Sequence, residues 1–93
     1  MNKGELVDVI ASTTNVTKKE ADAILAAMVD TIVAEVSLGN KVSLVGFGSF
    51  ERRERKAREG RNPKTGEKML IPATRVPAFS PGKPFKEKVA PNE

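Results

Sequence analysis

Residues 51–68 read ERRERKAREGRNPKTGEK, and this stretch decides the fold. It contains eight cations and four glutamates and has almost nothing apolar in it. Such a segment cannot bury one face and must stand out in water. Apolar runs typical of strands flank it on both sides, at residues 42–45, 47–50, 69–71 and 76–79. The basic stretch is therefore predicted to leave a sheet and to return to it.

Residues 62–66, NPKTG, have the composition of a hairpin tip. Asn initiates turns, Pro presets φ and Gly accepts a positive φ. We predict a long two-stranded basic ribbon over about residues 52–76, with Pro63 at its end. The alternative is a charged, disordered linker between two modules. Only about twenty-five residues follow the basic stretch, and these are too few for a second independent core.

Two helices are predicted in the first forty residues. Asn2 with Glu5, and Thr17 with Glu20, have capping-box spacing, in which the first side chain accepts a backbone N–H bond. An apolar stripe with i, i+3, i+4 spacing follows Thr17 and ends near residues 39–40 (GN), a C-cap sequence. The stripe consists of Ala21, Ile24, Leu25, Met28, Val29, Ile32, Val33 and Val36. We expect these helices to be scaffold without chemistry of their own.

The expected fold class is α+β: two N-terminal helices on one face of a small antiparallel sheet, a long protruding β-ribbon arm, and a short C-terminal helix. In that last helix Pro84 is tolerated in the first turn, and Phe85 and Val89, at i and i+4, are expected to face inward. We expect one domain over residues 1–93, with a helical part over 1–40, the sheet, arm and last helix over 41–89, and a frayed tail over 90–93.

The size of the chain predicts assembly with a second chain. Fewer than seventy-five residues remain outside the ribbon, and no cysteine is present to cross-link them. A chain this small without disulfides or metal commonly completes its burial in a partner. Phe47, Phe50 and Phe79 lie where the ribbon joins the sheet, and we expect them to fill a shared core rather than to stack on bases.

Charge is distributed unevenly along the chain. The formal net charge is +4 and the pI is about 9.6, but residues 1–40 carry −3 and residues 41–93 carry +7. This local positive field indicates an anionic partner. A membrane is disfavoured, because the ribbon offers no Leu, Phe or Trp to insert and no apolar stretch reaches a spanning length. Glu5 and Asp8 stand where a signal peptide needs apolar residues, so we expect the chain to act in the cytoplasm.

Enzymatic chemistry is disfavoured by the residue inventory. The chain has no His, Cys, Tyr or Trp, which removes the usual general base, the thiolate nucleophile and the standard zinc ligands. No glycine-rich phosphate loop leads from a strand into a helix. We therefore expect no catalytic residue, no metal, no cofactor and no small-molecule substrate.

Two functions from different classes fit a basic ribbon. Such a ribbon fits a groove of double-stranded DNA, where its guanidinium groups meet phosphates on both walls. Alternatively, the chain is a dimerising module whose arms dock structured RNA or an acidic protein. Duplex RNA is the weaker target, because its A-form major groove is too narrow for an inserted ribbon.

Many spaced positions resemble one family, the bacterial HU/IHF histone-like DNA-binding proteins. The motif comprises residues 46–50 (GFGSF), Arg55, Arg58, Gly60, Arg61 and residues 62–65 (NPKT). Residues 1–6, 71–73, 76–79 and 82–83 are similar too, so the resemblance covers essentially the whole chain. Residues 76–77 are similar to the HU branch and residues 81–82 to the IHF branch. Non-specific, HU-like binding is favoured, and site-specific, IHF-like bending is the alternative.

The resemblance implies an intertwined homodimer or heterodimer whose helical body is a platform and whose two arms embrace the duplex. HU and IHF are themselves minor-groove architectural proteins that insert apolar wedges, which implies an intercalating role for Pro63. It also implies a saddle lined by Lys3, Lys83 and Lys86 and a place on the nucleoid. A wedge favours nicked, gapped or bent DNA, because such DNA has already lost part of its stacking.

Arg55, Arg58 and Arg61 are expected to contact the groove and the phosphates. On a pleated strand Arg58 faces opposite to the other two, so their joint use needs twist or a bulge, expected at Gly60. Sequence specificity is expected to be low, since a turn role explains the one ribbon amide, Asn62. The candidate DNA-binding residues are Lys3, Arg53, Arg55, Arg58, Arg61, Asn62, Pro63, Lys64, Arg75, Lys83 and Lys86.

Overall fold

The computed structural model describes residues 1–91, and over this range the chain is α+β, as predicted. The elements in chain order are α1 (Lys3–Thr14), α2 (Lys18–Ser37), β1 (Val42–Leu44), β2 (Gly48–Arg55), β3 (Arg58–Arg61), β4 (Lys68–Ile71), β5 (Thr74–Pro81) and α3 (Lys83–Val89). The chain divides into two compact units, an N-terminal unit over Met1–Ala34 and a C-terminal unit from Glu35 onward. Of the expected tail, Asn92 and Glu93 lie outside the described residues.

Both N-terminal helices begin at the caps that the sequence predicts. The Asn2 side-chain oxygen accepts the Glu5 N–H at 2.9 Å, and α1 starts at the next residue. At the start of α2, the Glu20 N–H donates to Thr17 Oγ1 at 3.1 Å, and the Thr17 N–H donates to Glu20 Oε1 at 3.4 Å. Because each bond satisfies a backbone donor that the first helical turn leaves free, these local pairs fix where the helices start.

The N-terminal unit has a small core. Val7, Ala11 and Ala21 are buried, and Ile10, Val16 and Leu25 pack against them. Much of the predicted apolar stripe on α2 remains open to solvent. Its most exposed members are Ile24, Met28, Val29 and Val33, with between 47 and 62% of their surface accessible. One chain therefore buries only part of the apolar stripe, and leaving the rest in water is unfavourable.

Helix α2 ends at the predicted glycine. Gly39 has a φ of 89°, its N–H donates to the Val36 carbonyl at 2.9 Å, and the Asn40 N–H donates to the Glu35 carbonyl at 2.9 Å. These two bonds form a Schellman motif, which needs a left-handed residue after the last turn. The predicted C-cap near residues 39–40 is therefore confirmed.

The strands form two antiparallel sheets. The order β1-β2-β5 makes a three-stranded sheet, in which Phe50 pairs with Phe79 and Arg55 with Thr74. Strands β3 and β4 make a separate two-stranded ladder that carries the tip. The ribbon is thus confirmed, and residues 69–71 belong to its outer ladder, within the predicted arm over about residues 52–76. Pro72 lacks an N–H for the ladder, which accounts for a break at that point before the chain rejoins the sheet in β5.

Four phenylalanines gather where the ribbon leaves the sheet. The Phe47 ring centroid lies 5.2 Å from that of Phe79 and 5.5 Å from that of Phe85, and the Phe50 and Phe79 centroids are 4.9 Å apart. Yet Phe47 and Phe79 keep 43% and 39% of their surface exposed. The single chain therefore assembles the aromatic cluster without enclosing it.

Helix α3 carries Pro84 in its first turn, as predicted, and places Phe85 against the aromatic cluster. The expectation that Val89 faces inward is wrong for the single chain, in which it is 72% exposed. Phe85, in the first turn of this seven-residue helix, is the residue whose ring joins the cluster.

Candidate nucleic-acid interface

The ribbon tip is built by the side chain and backbone of Asn62. Its Oδ1 accepts the Lys64 N–H at 2.9 Å, its carbonyl accepts the Gly66 N–H at 2.7 Å, and its own N–H donates to the Glu67 carbonyl at 2.8 Å. Gly66 has a φ of 73°, a conformation that glycine adopts without strain. The turn role predicted for Asn62 is confirmed, and Pro63 is left exposed at the end of the arm.

The outer ladder has two distinct faces. Its register pairs Arg58 with Ile71, Glu59 with Leu70, Gly60 with Met69 and Arg61 with Lys68. Since side chains alternate along a strand, Arg58, Gly60, Met69 and Ile71 share one face, and Glu59, Arg61, Lys68 and Leu70 share the other. Arg58 and Arg61 thus lie on opposite faces, and the ribbon offers cations on both sides.

The bulge predicted at Gly60 is wrong. Gly60 pairs with Met69 in uninterrupted register, and the irregular residues are instead Lys56 and Ala57, between β2 and β3. The glycine leaves room for a neighbouring side chain: a Cβ on Gly60 would lie 2.8 Å from Cδ1 of Ile71, and the end of the Ile71 side chain would have to shift. The small residue therefore lets the Ile71 side chain lie across the neighbouring strand.

The arm also carries apolar side chains, which lie just beyond residues 51–68 in the sequence. Leu70 is 70% exposed and Met69 is 48% exposed, both on β4. The expectation that the ribbon offers no leucine is therefore wrong, because β4 continues beyond the basic stretch.

Most of the predicted ribbon cations are available to a ligand. In the described part of the chain, Arg55, Arg58, Arg61 and Lys64 form no ion pair with a carboxylate. All four side chains are exposed. Their charge is neutralised only by solvent ions, which a polyanion can displace.

Other candidate cations are held by weak surface contacts. Arg53 Nε contacts Glu51 at 3.1 Å and its Nη2 donates to the Ser80 hydroxyl at 3.0 Å, while Arg75 Nε contacts Glu54 at 3.3 Å. Exposed ion pairs of this kind contribute about 0 to 1 kcal/mol. Such contacts can be exchanged for stronger ones with a phosphate.

The predicted saddle lysines are divided between the two units. Lys3, in the N-terminal unit, lies 3.4 Å from Asp22, and Lys83, in the C-terminal unit, lies 3.9 Å from Glu87. Lys86 is exposed on α3. A common surface made by these three lysines stays a prediction.

Arg52 has a structural role although it lies in the basic stretch. Its Nη1 donates to the Ser37 carbonyl at 3.2 Å, and its Nε lies 3.5 Å from Glu54. The cation therefore meets the carbonyl end of α2, where a positive charge is favourable. Neighbouring arginines in one run thus have different roles.

This division of roles is testable with Arg52→Ala. We expect the free energy of unfolding to fall by about 1 to 2 kcal/mol, because a charged hydrogen bond and a helix-end interaction are lost. The same replacement at Arg58 is the matched control, since Arg58 has no such contact, and it should leave the unfolding midpoint in urea nearly unchanged. Equal destabilisation by both replacements would contradict the capping role of Arg52.

None of the helices over residues 1–91 is both long enough and apolar enough to cross a membrane. The same residues contain no group of three acidic side chains placed to hold a metal ion.

Comparison with known proteins decides the family. The model of the bacterial DNA-binding protein family matches residues 1–90. The chain belongs to this family. It is 74% identical to DNA-binding protein HU of Nostoc sp. over 98% of this chain and 97% of the relative, and 53% identical to DNA-binding protein HU of Geobacillus stearothermophilus over 96% and 99%.

Solved structures agree with this assignment. An Anabaena HU–DNA cocrystal structure matches with a TM-score of 0.92 and 74% identity, over 98% of this chain and 99% of that one. HU from Thermotoga maritima matches with a TM-score of 0.69 and 37% identity, over 96% and 98%. The predicted relationship to the HU/IHF proteins is confirmed.

Proposed function

We propose that this chain is a non-sequence-specific architectural DNA-binding protein, which binds the minor groove with two β-ribbon arms and bends or compacts DNA on the nucleoid, in the cytoplasm. The observation that carries this proposal is the ribbon tip, where exposed Pro63 stands among cations that lack carboxylate partners in residues 1–91. An apolar wedge flanked by phosphate-binding cations suits a protein that parts a base step from the minor groove. The HU–DNA cocrystal of a relative supports the same role.

Low sequence specificity follows from the side chains on the arm. Specific reading of bases needs donors and acceptors aimed at base edges, whereas phosphate contacts carry no sequence information. Asn62 is the one amide on the ribbon, and its side-chain oxygen already accepts the Lys64 N–H. The ribbon thus supplies charge and a wedge, and site-specific IHF-like bending gains no support from it.

The binding species is a dimer in this proposal, with a homodimer as the simplest form and a heterodimer with a paralogue also compatible. The support is the apolar surface that one chain leaves open, including the α2 stripe, Phe47, Phe79 and Val89. The whole of residues 1–93 acts as one HU-like domain. Lys3, Lys83 and Lys86 serve as phosphate contacts of its body, together with Arg53 and Arg75 at the arm base.

No catalysis, cofactor or small-molecule substrate enters the proposal, since the family is one of DNA-binding proteins and not of enzymes. The decisive experiment is a competition between duplex DNA, duplex RNA and an acidic polypeptide at one stated salt concentration. We expect duplex DNA of any sequence to win, with nicked or gapped duplexes bound more tightly than intact ones. Preferential binding of the RNA or of the polypeptide would overturn the proposal.

Replacement of Arg58 by Ala should change the salt dependence of DNA binding. The logarithm of affinity falls with the logarithm of salt concentration with a slope of about −0.9 per neutralised phosphate. Loss of the Arg58 contact should therefore flatten the slope by about one unit per engaged arm. It should also lower the affinity for DNA duplexes of unrelated sequence by similar factors. Lys19→Ala, which removes an exposed cation from the start of α2, is the control. An unchanged slope for Arg58→Ala would remove this residue from the interface.

A further inference from the structure

The last rung of the outer ladder before the tip places two cations directly opposite each other. Arg61 pairs with Lys68 in the register of β3 and β4. The next pair toward the tip, Asn62 and Glu67, is joined by a backbone hydrogen bond of 2.8 Å. Because bonded and non-bonded pairs alternate in an antiparallel ladder, Arg61 and Lys68 form a non-hydrogen-bonded pair, whose Cα atoms are about 4.5 Å apart and whose side chains are close.

This arrangement is unfavourable in the free protein. Like charges directly opposite each other on one face of a ladder destabilise it. Neither side chain forms an ion pair within residues 1–91 that would relieve the repulsion. Glu59 shares the face but stands opposite Leu70, one same-face pair away. An anion bound between these two side chains would therefore relieve their repulsion.

We propose that Arg61 and Lys68 together bind one backbone phosphate of the duplex, beside the step at which Pro63 acts. A guanidinium presents a fork of donors and an ammonium a compact charge, so the two can take different oxygens of one phosphate. Lys68 is thereby a DNA-binding residue that the candidate set from the sequence omits. Lys68 is identified by following the strand register from the tip pair, Asn62 and Glu67, back to the next pair, Arg61 and Lys68.

The consequence concerns the position of the wedge. Arg61 is two residues before Pro63 in the chain, and the rung that it shares with Lys68 borders the tip turn. A phosphate held across this rung ties both strands of the arm to one point of the DNA backbone. Phosphate contacts fix the register of a protein on a duplex, and this one sets the distance from the backbone to the inserted ring.

This inference rests on the proposed function and is tested by salt titration of duplex binding for Arg61→Gln, Lys68→Gln and the double variant. The slope counts neutralised phosphates, at about 0.9 each, and not cations. If both cations share one phosphate, each single variant still neutralises it, so affinity drops while the slope changes little. The double variant should then lose about 0.9 of slope per engaged arm.

Two other results would overturn the shared site. A full loss of about 0.9 from Lys68→Gln alone would mean that each cation holds its own phosphate. A full loss from Arg61→Gln alone, not increased in the double variant, would mean that Lys68 contacts no phosphate. Lys19→Gln serves as the control for the loss of one charge, and circular dichroism verifies the fold of every variant. Failure of the parent to bind duplex DNA would refute the proposed function itself, which separates the two failures.

Discussion

Phe47→Ala is expected to dissociate and unfold the proposed dimer at concentrations at which the parent stays folded. The Phe47 ring contacts the rings of Phe79 and Phe85, and its carbonyl accepts the Gly82 N–H at 2.8 Å. Removal of a large aromatic side chain from a core costs about 3 to 5 kcal/mol. That loss is comparable to the whole stability of a small protein, about 5 to 15 kcal/mol.

Sedimentation velocity and thermal unfolding at two protein concentrations measure this effect. For a dimer that shares its core, the melting temperature of the parent rises with concentration, because association is coupled to folding. Leu70→Ala is the control: it also removes a large apolar side chain, but from the exposed outer ladder. A folded, stable monomer, either of the parent or of Phe47→Ala, would contradict a core shared between two chains.

The features that could be predicted from the sequence are those decided by neighbouring residues. Each N-terminal helix starts where a cap side chain, that of Asn2 or Thr17, accepts the backbone N–H three residues later. The tip depends on hydrogen bonds within residues 62–67. Such bonds form within one turn of chain, so composition and spacing are sufficient to find them. The apolar period of α2 is local in the same sense.

The features that the sequence left uncertain depend on pairing between distant residues. The ribbon divides into two ladders at Lys56 and Ala57 in one strand and at Pro72 and Ala73 in the other, and no pattern within residues 51–68 predicts that break. The register of the outer ladder gives Gly60 a regular partner, Met69. A change of one residue in register would exchange the faces of every side chain, so these assignments require the ladder itself.

The roles of individual arginines follow the same distinction. Arg52 and Arg58 are equivalent by composition, and both lie in one basic run. Only the fold brings Arg52 to the Ser37 carbonyl, fifteen positions earlier in the chain, and leaves Arg58 without an ion pair in residues 1–91. An arginine that is already bonded within the protein contributes little to the affinity for a ligand. The number of cations in the sequence therefore overestimates the number that can bind the ligand.

Pro63→Ala should remove most of the DNA bending while leaving most of the salt-dependent affinity. As a turn residue Pro63 only restricts φ, and its loss would loosen the tip by under about 1 kcal/mol. As a wedge it parts a base step, at a cost of a few kcal/mol that contacts with the bent duplex offset, with kinks of about 20 to 90°. Asn62 and Gly66 make the bonds of the tip without the proline side chain, so the hairpin should survive the replacement.

Energy transfer between the labelled ends of a short duplex measures the bend, and salt titration on nicked and intact duplexes measures the affinity. We expect Pro63→Ala to lose bending and the preference for nicked DNA, because both depend on an inserted ring at an unstacked step. The slope against salt should stay near that of the parent, since the replacement removes no charge. Pro91→Ala, at an exposed residue after α3, is the control for loss of a proline. If the bend persists in Pro63→Ala and affinity falls equally on nicked and intact DNA, then Pro63 is an ordinary turn residue and the arms hold DNA by charge alone.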